Sequence, residues 1–181
     1  MPHKFIPEPW HAFFAEIDKS LDEEMSLHCL GGFVMTILYG LDRPTADVDV
    51  LPTGSNSAMN LLIRFAGEGS RLHNRHKVYL QVVGVAAVPL NYAERMTEMF
   101  PGTFKHLRLF ALDPYDLALS KLERNTQRDR DDVKHLARTV PFDPRRLART
   151  LSIRIATGLR QSQREDLTLR LWTEAIEEEA Q

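Results

Sequence analysis

Residues 46–50 read Ala-Asp-Val-Asp-Val, and this strict alternation constrains the chain more than any other stretch. Successive side chains of a strand point to opposite faces, so Ala46, Val48 and Val50 share one face while Asp47 and Asp49 share the other. The strand is thereby expected to anchor itself by its valines and to present two carboxylates. A core is needed to receive the valines. At 181 residues the chain is long enough for one well-buried core with a helical extension, and two full domains would be cramped. Apolar residues at 43% and charged residues at 27% fit a globular chain rather than a disordered or fibrous one.

Elements on either side can be read from periodicity and punctuation. "PEPWHAFFAEIDKSLDEE" places Trp10, Phe13, Phe14 and Ile17 at helical spacing and predicts an amphipathic helix. "SLHCLGG" reads as a short strand closed by glycines, and "FVMTILYGL" as a mostly buried helix ending near Gly40. After the turn-rich "TGSNS", the stretch "AMNLLIRFAGEG" predicts a helix that runs out at Gly67 and Gly69. "KVYLQVVGVAAV" predicts a strand from Val78 to Val85, "PLNYAERMTEMF" a helical turn or two, and "FKHLRLFAL" another strand stopping at Asp113-Pro114.

The remainder reads as helical, in "PYDLALSKLERN", "RDDVKHLART", "PRRLARTLSIRIATGL" and "REDLTLRLWTEAIEEEA". Asp113 before Pro114 is a cap with proline at the first helical position, and Asp143-Pro144 repeats that grammar. The expected organisation is an α/β core over residues 1–112 and a helical C-terminal region over 113–181.

Several function classes are disfavoured. The single cysteine, Cys29, lies in the apolar run "LHCLGG", which excludes an internal disulfide framework and suits a reduced compartment. No window has the length of a membrane span and the N-terminus lacks a signal-peptide core, so a cytoplasmic protein without membrane contact is expected. A net charge of -2 gives no overall attraction to nucleic acid. Between Arg124 and Arg149, however, eight Lys or Arg residues stand against four aspartates, which serves an RNA or a nucleotide polyphosphate as well as a solvated helix face.

Two carboxylates on one strand face can share a divalent cation, because Mg²⁺ prefers hard oxygen ligands and leaves its other positions to phosphates and water. An isolated Asp-x-Asp is equally a solvent face or a turn cap. Here it follows Gly31-Gly32, placed where a strand passes into a helix, so backbone amides can approach an anion at the helix N-terminus. The same glycines serve tight helix-to-sheet packing. Arg43, Pro44 and Thr45 precede the carboxylates, and Arg43 can brace a carboxylate or a phosphate or form a surface ion pair.

The order of glycine pair, helix, Arg-x-Thr and Asp-x-Asp resembles the nucleotidyltransferase superfamily, specifically minimal bacterial members similar to the abortive-infection toxin nucleotidyltransferases. Gly31, Gly32, Asp47 and Asp49 carry the first part of the resemblance, and "DLALSKLERNTQRDRDDV" carries the second. The resemblance implies a small mixed sheet with helices packed on it. It implies Mg²⁺ on Asp47 and Asp49, with Gly31, Gly32, Arg43, Thr45 and Lys121 toward the nucleotide and Arg128, Asp129 and Asp132 lining the same site. The implied reaction moves a nucleoside monophosphate from a nucleoside triphosphate to an acceptor hydroxyl, on RNA or protein, releasing pyrophosphate. The alternative is a non-catalytic nucleotide-binding or interaction module of the same fold, with a cognate partner protein in a toxin–antitoxin system. From the residues themselves, Lys121 also suits a solvated helix face, and Asp129 suits a helix cap.

The chain departs from that pattern in one respect. Active members usually add a third carboxylate from a neighbouring strand, and "HKVYLQVVGVAAV" has none. Its nearest polar residue is Gln81, which cannot act as a base, and Glu68 stands just before the strand. His73 and His76 lack a third ligand at zinc spacing and are expected as solvated loop residues. Ser120 and Lys121 point about 100° apart on a helix and do not form a Ser-Lys pair. "GEGS" at 67–70 lacks the lysine of a phosphate-binding loop.

Overall fold

A computed structural model describes residues 5–84, 88–122, 124–143, 145–147, 149–150 and 170–174. Strand β1 (Met25–Leu30) runs straight into helix α2 (Gly31–Tyr39), which the left-handed Gly40 closes, and β2 (Asp47–Leu51) follows. Before them lies α1 (Trp10–Lys19), and after them α3 (Asn56–Ala66), α4 (Arg71–His76), β3 (Tyr79–Val82), β4 (Thr97–Met99) and β5 (Leu107–Ala111). The five strands form one mixed sheet in the order β3-β2-β1-β5-β4. β1 is antiparallel to β2 and parallel to β5, β2 is parallel to β3, and β4 is antiparallel to β5. This is the small mixed α/β sheet that the resemblance implied.

The described residues divide into two compact units. The first holds the sheet and α1 to α4; the second takes 88–95 and the residues from 112 onward. In the first unit the core grows from the alternation. Val48 and Val50 are fully buried, as are Leu27 and Cys29 of β1 and Ile37 of α2, and each aliphatic side chain of this kind contributes about 1.5–3 kcal/mol by leaving water. Register pairs Val50 with Cys29, so both face the same side of the sheet. The aromatics of α1 join them, with Phe14 edge-on to Phe13 at 5.4 Å and to Phe33 at 5.6 Å between centroids. Asp18 fixes the entry to β5 by accepting the backbone N–H groups of Lys105, His106 and Leu107 at 3.2, 2.6 and 2.8 Å. Although burial opposes it, those three donors hold the Asp18 carboxyl below its ordinary value.

The second unit holds a 3₁₀ turn (Tyr92–Arg95), α5 (Pro114–Leu122) and α6 (Gln127–Thr139). Tyr115, Ala118, Leu119, Val133, Leu147 and Trp172 form its core. Asp113 starts α5 by accepting Tyr115 N–H at 2.9 Å, with Pro114 first in the helix. The same grammar repeats at Asp143, whose carboxylate accepts Arg145 N–H at 2.9 Å. Most of the two C-terminal helices read from sequence lies outside the described residues; 145–147, 149–150 and 170–174 are helical.

Three details differ from the sequence reading. β3 covers only Tyr79–Val82, and Gly84 lies outside it. Thr97–Met99 is a strand, not part of a helical turn: three residues are too few to show a period, and pairing to Leu109, Phe110 and Ala111 decides their conformation. "RLHNRH" is a helix rather than a loop, started by Ser70, whose hydroxyl accepts His73 N–H at 3.1 Å.

Candidate nucleotide and metal site

Asp47 and Asp49 lie on the same face of β2, each half-buried, opposite the buried valines. The Thr45 hydroxyl donates to Asp47 Oδ1 at 2.6 Å and so orients that carboxylate from the residue that leads into the strand. Asp49 pairs in register with Leu30, the last residue of β1, which brings it beside the first residue of α2.

That residue is Gly31, at φ +71°, in the left-handed region that favours glycine. A Cβ there would drive into Asp49 Oδ2 and would stand 2.9 Å from its Cγ. Two requirements coincide at Gly31: the strand turns directly into a helix, and the carboxylate occupies the space a side chain would take. The glycine and the Asp-x-Asp motif are therefore one packing unit. Gly32 follows as the second residue of α2 and is half-buried. The residue before the helix, Leu30, has no side-chain acceptor for the first N–H groups, whereas α3, α4 and α6 are capped by Ser55, Ser70 and Thr126. Arg43 is half-buried between α2 and β2, where its backbone carbonyl accepts the Thr36 hydroxyl at 3.1 Å.

On the other side of β2, β3 sets Tyr79 beside Asp47 and Gln81 beside Asp49. Side chains paired in register project from the same face, so these two positions flank the carboxylates. Neither is an acid. Burial pushes the Tyr79 phenol up, and the negative charges of Asp47, Glu68 and Asp49 push it further in the same direction. Tyr79 thus feels three carboxylates at once. Burial, and after it the charge of Asp49, push the Cys29 thiol up to about 12. Cys29 stays a protonated core residue.

The second unit gathers Lys121, Asp129 and Asp132 into a buried ion network. Lys121 is 5% exposed, and its Nζ lies 2.6 Å from Asp132 Oδ2 and 3.8 Å from Asp129 Oδ1. The Lys121 ammonium is therefore internal. Asp129 is the third residue of α6 and closes a reciprocal capping box with Thr126. It also receives Arg124 at 2.9 and 2.6 Å. Burial works against ionisation of Asp129, but the donors from Arg124 and Thr126 win and hold its carboxyl far below the usual range. Arg128 is exposed on α6. Elsewhere in this unit, Arg95 clamps both oxygens of the buried Asp116 at 2.9–3.2 Å. Burial nevertheless pushes the Asp116 carboxyl up to about 6 against that cation.

Residues 11–178 match the model of a family described as "Nucleotidyltransferase of unknown function (DUF6036)". The chain belongs to this family of nucleotidyltransferases. No curated protein and no solved structure matches it.

Within this family member, two points lie beyond what the sequence shows. Tyr79 alternates with Gln81, but nothing in the sequence says that β3 lies parallel to β2 in the register that sets Tyr79 beside Asp47. His76 is not a solvated loop residue: its Nε2 stands 2.8 Å from Glu16 Oε1 and its ring lies edge-on to Phe13 at 6.1 Å. Hydrogen bonds from Arg75 and then His76 lower the Glu16 carboxyl. Among the described residues, no group of three or more His, Cys, Asp or Glu is arranged to hold a metal ion, and no helix is long and apolar enough to cross a membrane.

Proposed function

We propose that this chain transfers a nucleoside monophosphate from a nucleoside triphosphate to an acceptor hydroxyl, with Asp47 and Asp49 holding Mg²⁺. The observation that carries the reading is the space left at Gly31 for the Asp49 carboxylate, beside the start of α2, where Leu30 offers no capping side chain. The donor set suits a hard cation, since two carboxylates share a face and Thr45 orients one of them. A bound Mg²⁺ would neutralise phosphate charge. The protein's own contribution is positioning: Gly31 and Gly32 let backbone approach a phosphate, and Arg43 adds a cation near the start of β2. In the reaction the acceptor oxygen bonds to the α-phosphorus, the bond from that phosphorus to the bridging oxygen breaks, and pyrophosphate leaves. β3 offers no carboxylate over Tyr79–Val82, so the hydroxyl proton passes to water.

The parts assigned to the second unit rest on the resemblance. By that resemblance Lys121 would supply charge toward phosphate and Arg128 an exposed cation; within its own unit the Lys121 ammonium is engaged by Asp132 and Asp129. The resemblance to toxin nucleotidyltransferases also favours an RNA or protein acceptor over a small molecule, and a cognate partner protein.

A second reading, a non-catalytic nucleotide-binding or interaction module, is favoured by Gln81 standing beside Asp49 where an active site of this kind would carry an acid. Calorimetric titration of the four ribonucleoside triphosphates with and without Mg²⁺, on wild type and on Asp47→Asn with Asp49→Asn, tests the site. Binding that needs both the metal and the carboxylates is the expected result, followed by pyrophosphate release when acceptor is added. Binding without release selects the second reading, and no binding by wild type overturns both nucleotide readings.

A further inference from the structure

The outer side of α3 does not behave like an ordinary solvent face. Met59, Leu62 and Ala66 are buried toward the first unit's core, as the amphipathic pattern requires. Yet Leu61 is 63% exposed and Phe65 39% exposed, and Leu61 stands three residues after Ala58 and four before Phe65. Residues at that spacing line up along one edge of a helix. An apolar edge therefore remains in water after the core is complete.

That edge forms one wall of a groove. The other wall is the segment between α1 and β1, which contributes Leu21 and Met25. The groove has a volume of about 720 Å³ and continues past Leu61 into a hollow of about 310 Å³ that reaches Leu62 and Phe65. Its charged lining residues are Asp22, Glu23 and Glu24, and all are acidic. Glu24 is engaged by Arg108 at 2.9 Å, while no ion pair among the described residues engages Asp22 or Glu23. The floor takes apolar side chains and the rim takes positive charge.

We propose that this groove docks an amphipathic helical segment of a protein partner, one carrying an apolar row at i, i+3, i+4 and i+7 flanked by lysine or arginine. Matching a helix to an apolar groove gives affinity through its apolar anchors, and the rim charges select the partner's sign. A second copy of this chain is a poorer occupant, because it would present the same acidic rim to itself at net charge -2. The groove opens at the start of β1, whereas Asp49 pairs with Leu30 at that strand's end, five residues and about 16 Å further along. Docking there leaves the carboxylate face uncovered, and the inference stands independently of the nucleotide reading.

The test uses a fluorescent synthetic helix with leucines at those four positions and flanking lysines, and companion peptides with glutamate flanks or with the leucines replaced by serine. Anisotropy is read on wild type, on Leu61→Ser with Phe65→Ser, and on Asp22→Lys with Glu23→Lys. All four sites are at the surface, and unchanged melting temperatures show that the fold is kept. Expected are binding of the lysine peptide only, at least tenfold weakening in the serine variant, and a switch toward the glutamate peptide in the charge-reversed one. No binding by wild type, or equal binding by all three proteins, overturns the proposal. So does concentration-dependent self-association of wild type that the serine variant abolishes, which would give the groove to a second copy.

Discussion

Asp49 in the first unit and Asp132 in the second both sit against a residue that makes their position possible, yet the means are opposite. Asp49 is half-buried, and what it requires is space, kept by the missing side chain of Gly31. Asp132 is fully buried, and what it requires is charge, supplied by the Lys121 ammonium at 2.6 Å. A half-buried carboxylate on a strand face keeps part of its surface in solvent. A carboxylate taken out of water must be neutralised where it stands, because desolvating an unpaired ion costs several kcal/mol. The first arrangement fits a carboxylate against backbone at the start of α2, and the second holds helices α5 and α6 together.

The largest test of that contrast is Lys121→Met. Removing one partner of a buried pair strands the other, so a loss of about 3–5 kcal/mol is expected in urea unfolding, and Lys121→Met with Asp132→Leu should recover much of it. A single substitution that leaves stability unchanged would show that Lys121 is held for ligand rather than for the fold. Next in size is Gly31→Ala. The left-handed backbone alone costs a non-glycine residue about 1–2 kcal/mol, and the clash with Asp49 adds to it. Combining Gly31→Ala with Asp49→Ala should remove the clash with the carboxylate and leave the backbone cost and a tight 3.1 Å approach to the Cβ of residue 49. If the two losses simply add, glycine and carboxylate are not one packing unit.

The smallest effects come from acid, and two aspartates of the second unit have opposite signs. Asp129 has its carboxyl depressed, so its contribution is complete above the unfolded value of 3.8 and is lost as pH falls below it. Asp116 is raised to about 6 from 3.8, so the folded state holds the extra proton and stability falls as pH climbs between those values. Melting temperature against pH should therefore lose its acid-side fall in Asp129→Asn. In Asp116→Asn it should lose a decline between about pH 4 and 6. A wild-type curve that rises through pH 4 to 6 and is unchanged by Asp116→Asn would show that Arg95 keeps Asp116 ionised throughout.

Much of the fold was legible wherever a period ran long enough. Phe13, Phe14 and Ile17 marked α1, Val48 and Val50 marked the core side of β2, and Asp113-Pro114 marked the start of α5. The signal failed in short elements. β4 has three residues and α4 has six, fewer than two turns, and each depends on a partner or cap for its shape. Of the candidate site, the coincidence of Gly31-Gly32 with Asp47 and Asp49 could be read, but the reason for it could not.

What the sequence by itself determined is local: which residues share a face, where a helix can start, and that two carboxylates must emerge opposite two buried valines. Alternation and capping are set by neighbours within a few positions, so they survive in a string of letters. Only the tertiary structure decided that Asp49 fills the space of a side chain at Gly31, that Tyr79 and Gln81 flank the carboxylates, and that Lys121 points into Asp132. Those relations depend on strand register and helix packing, which the burial of whole faces selects over many residues at once.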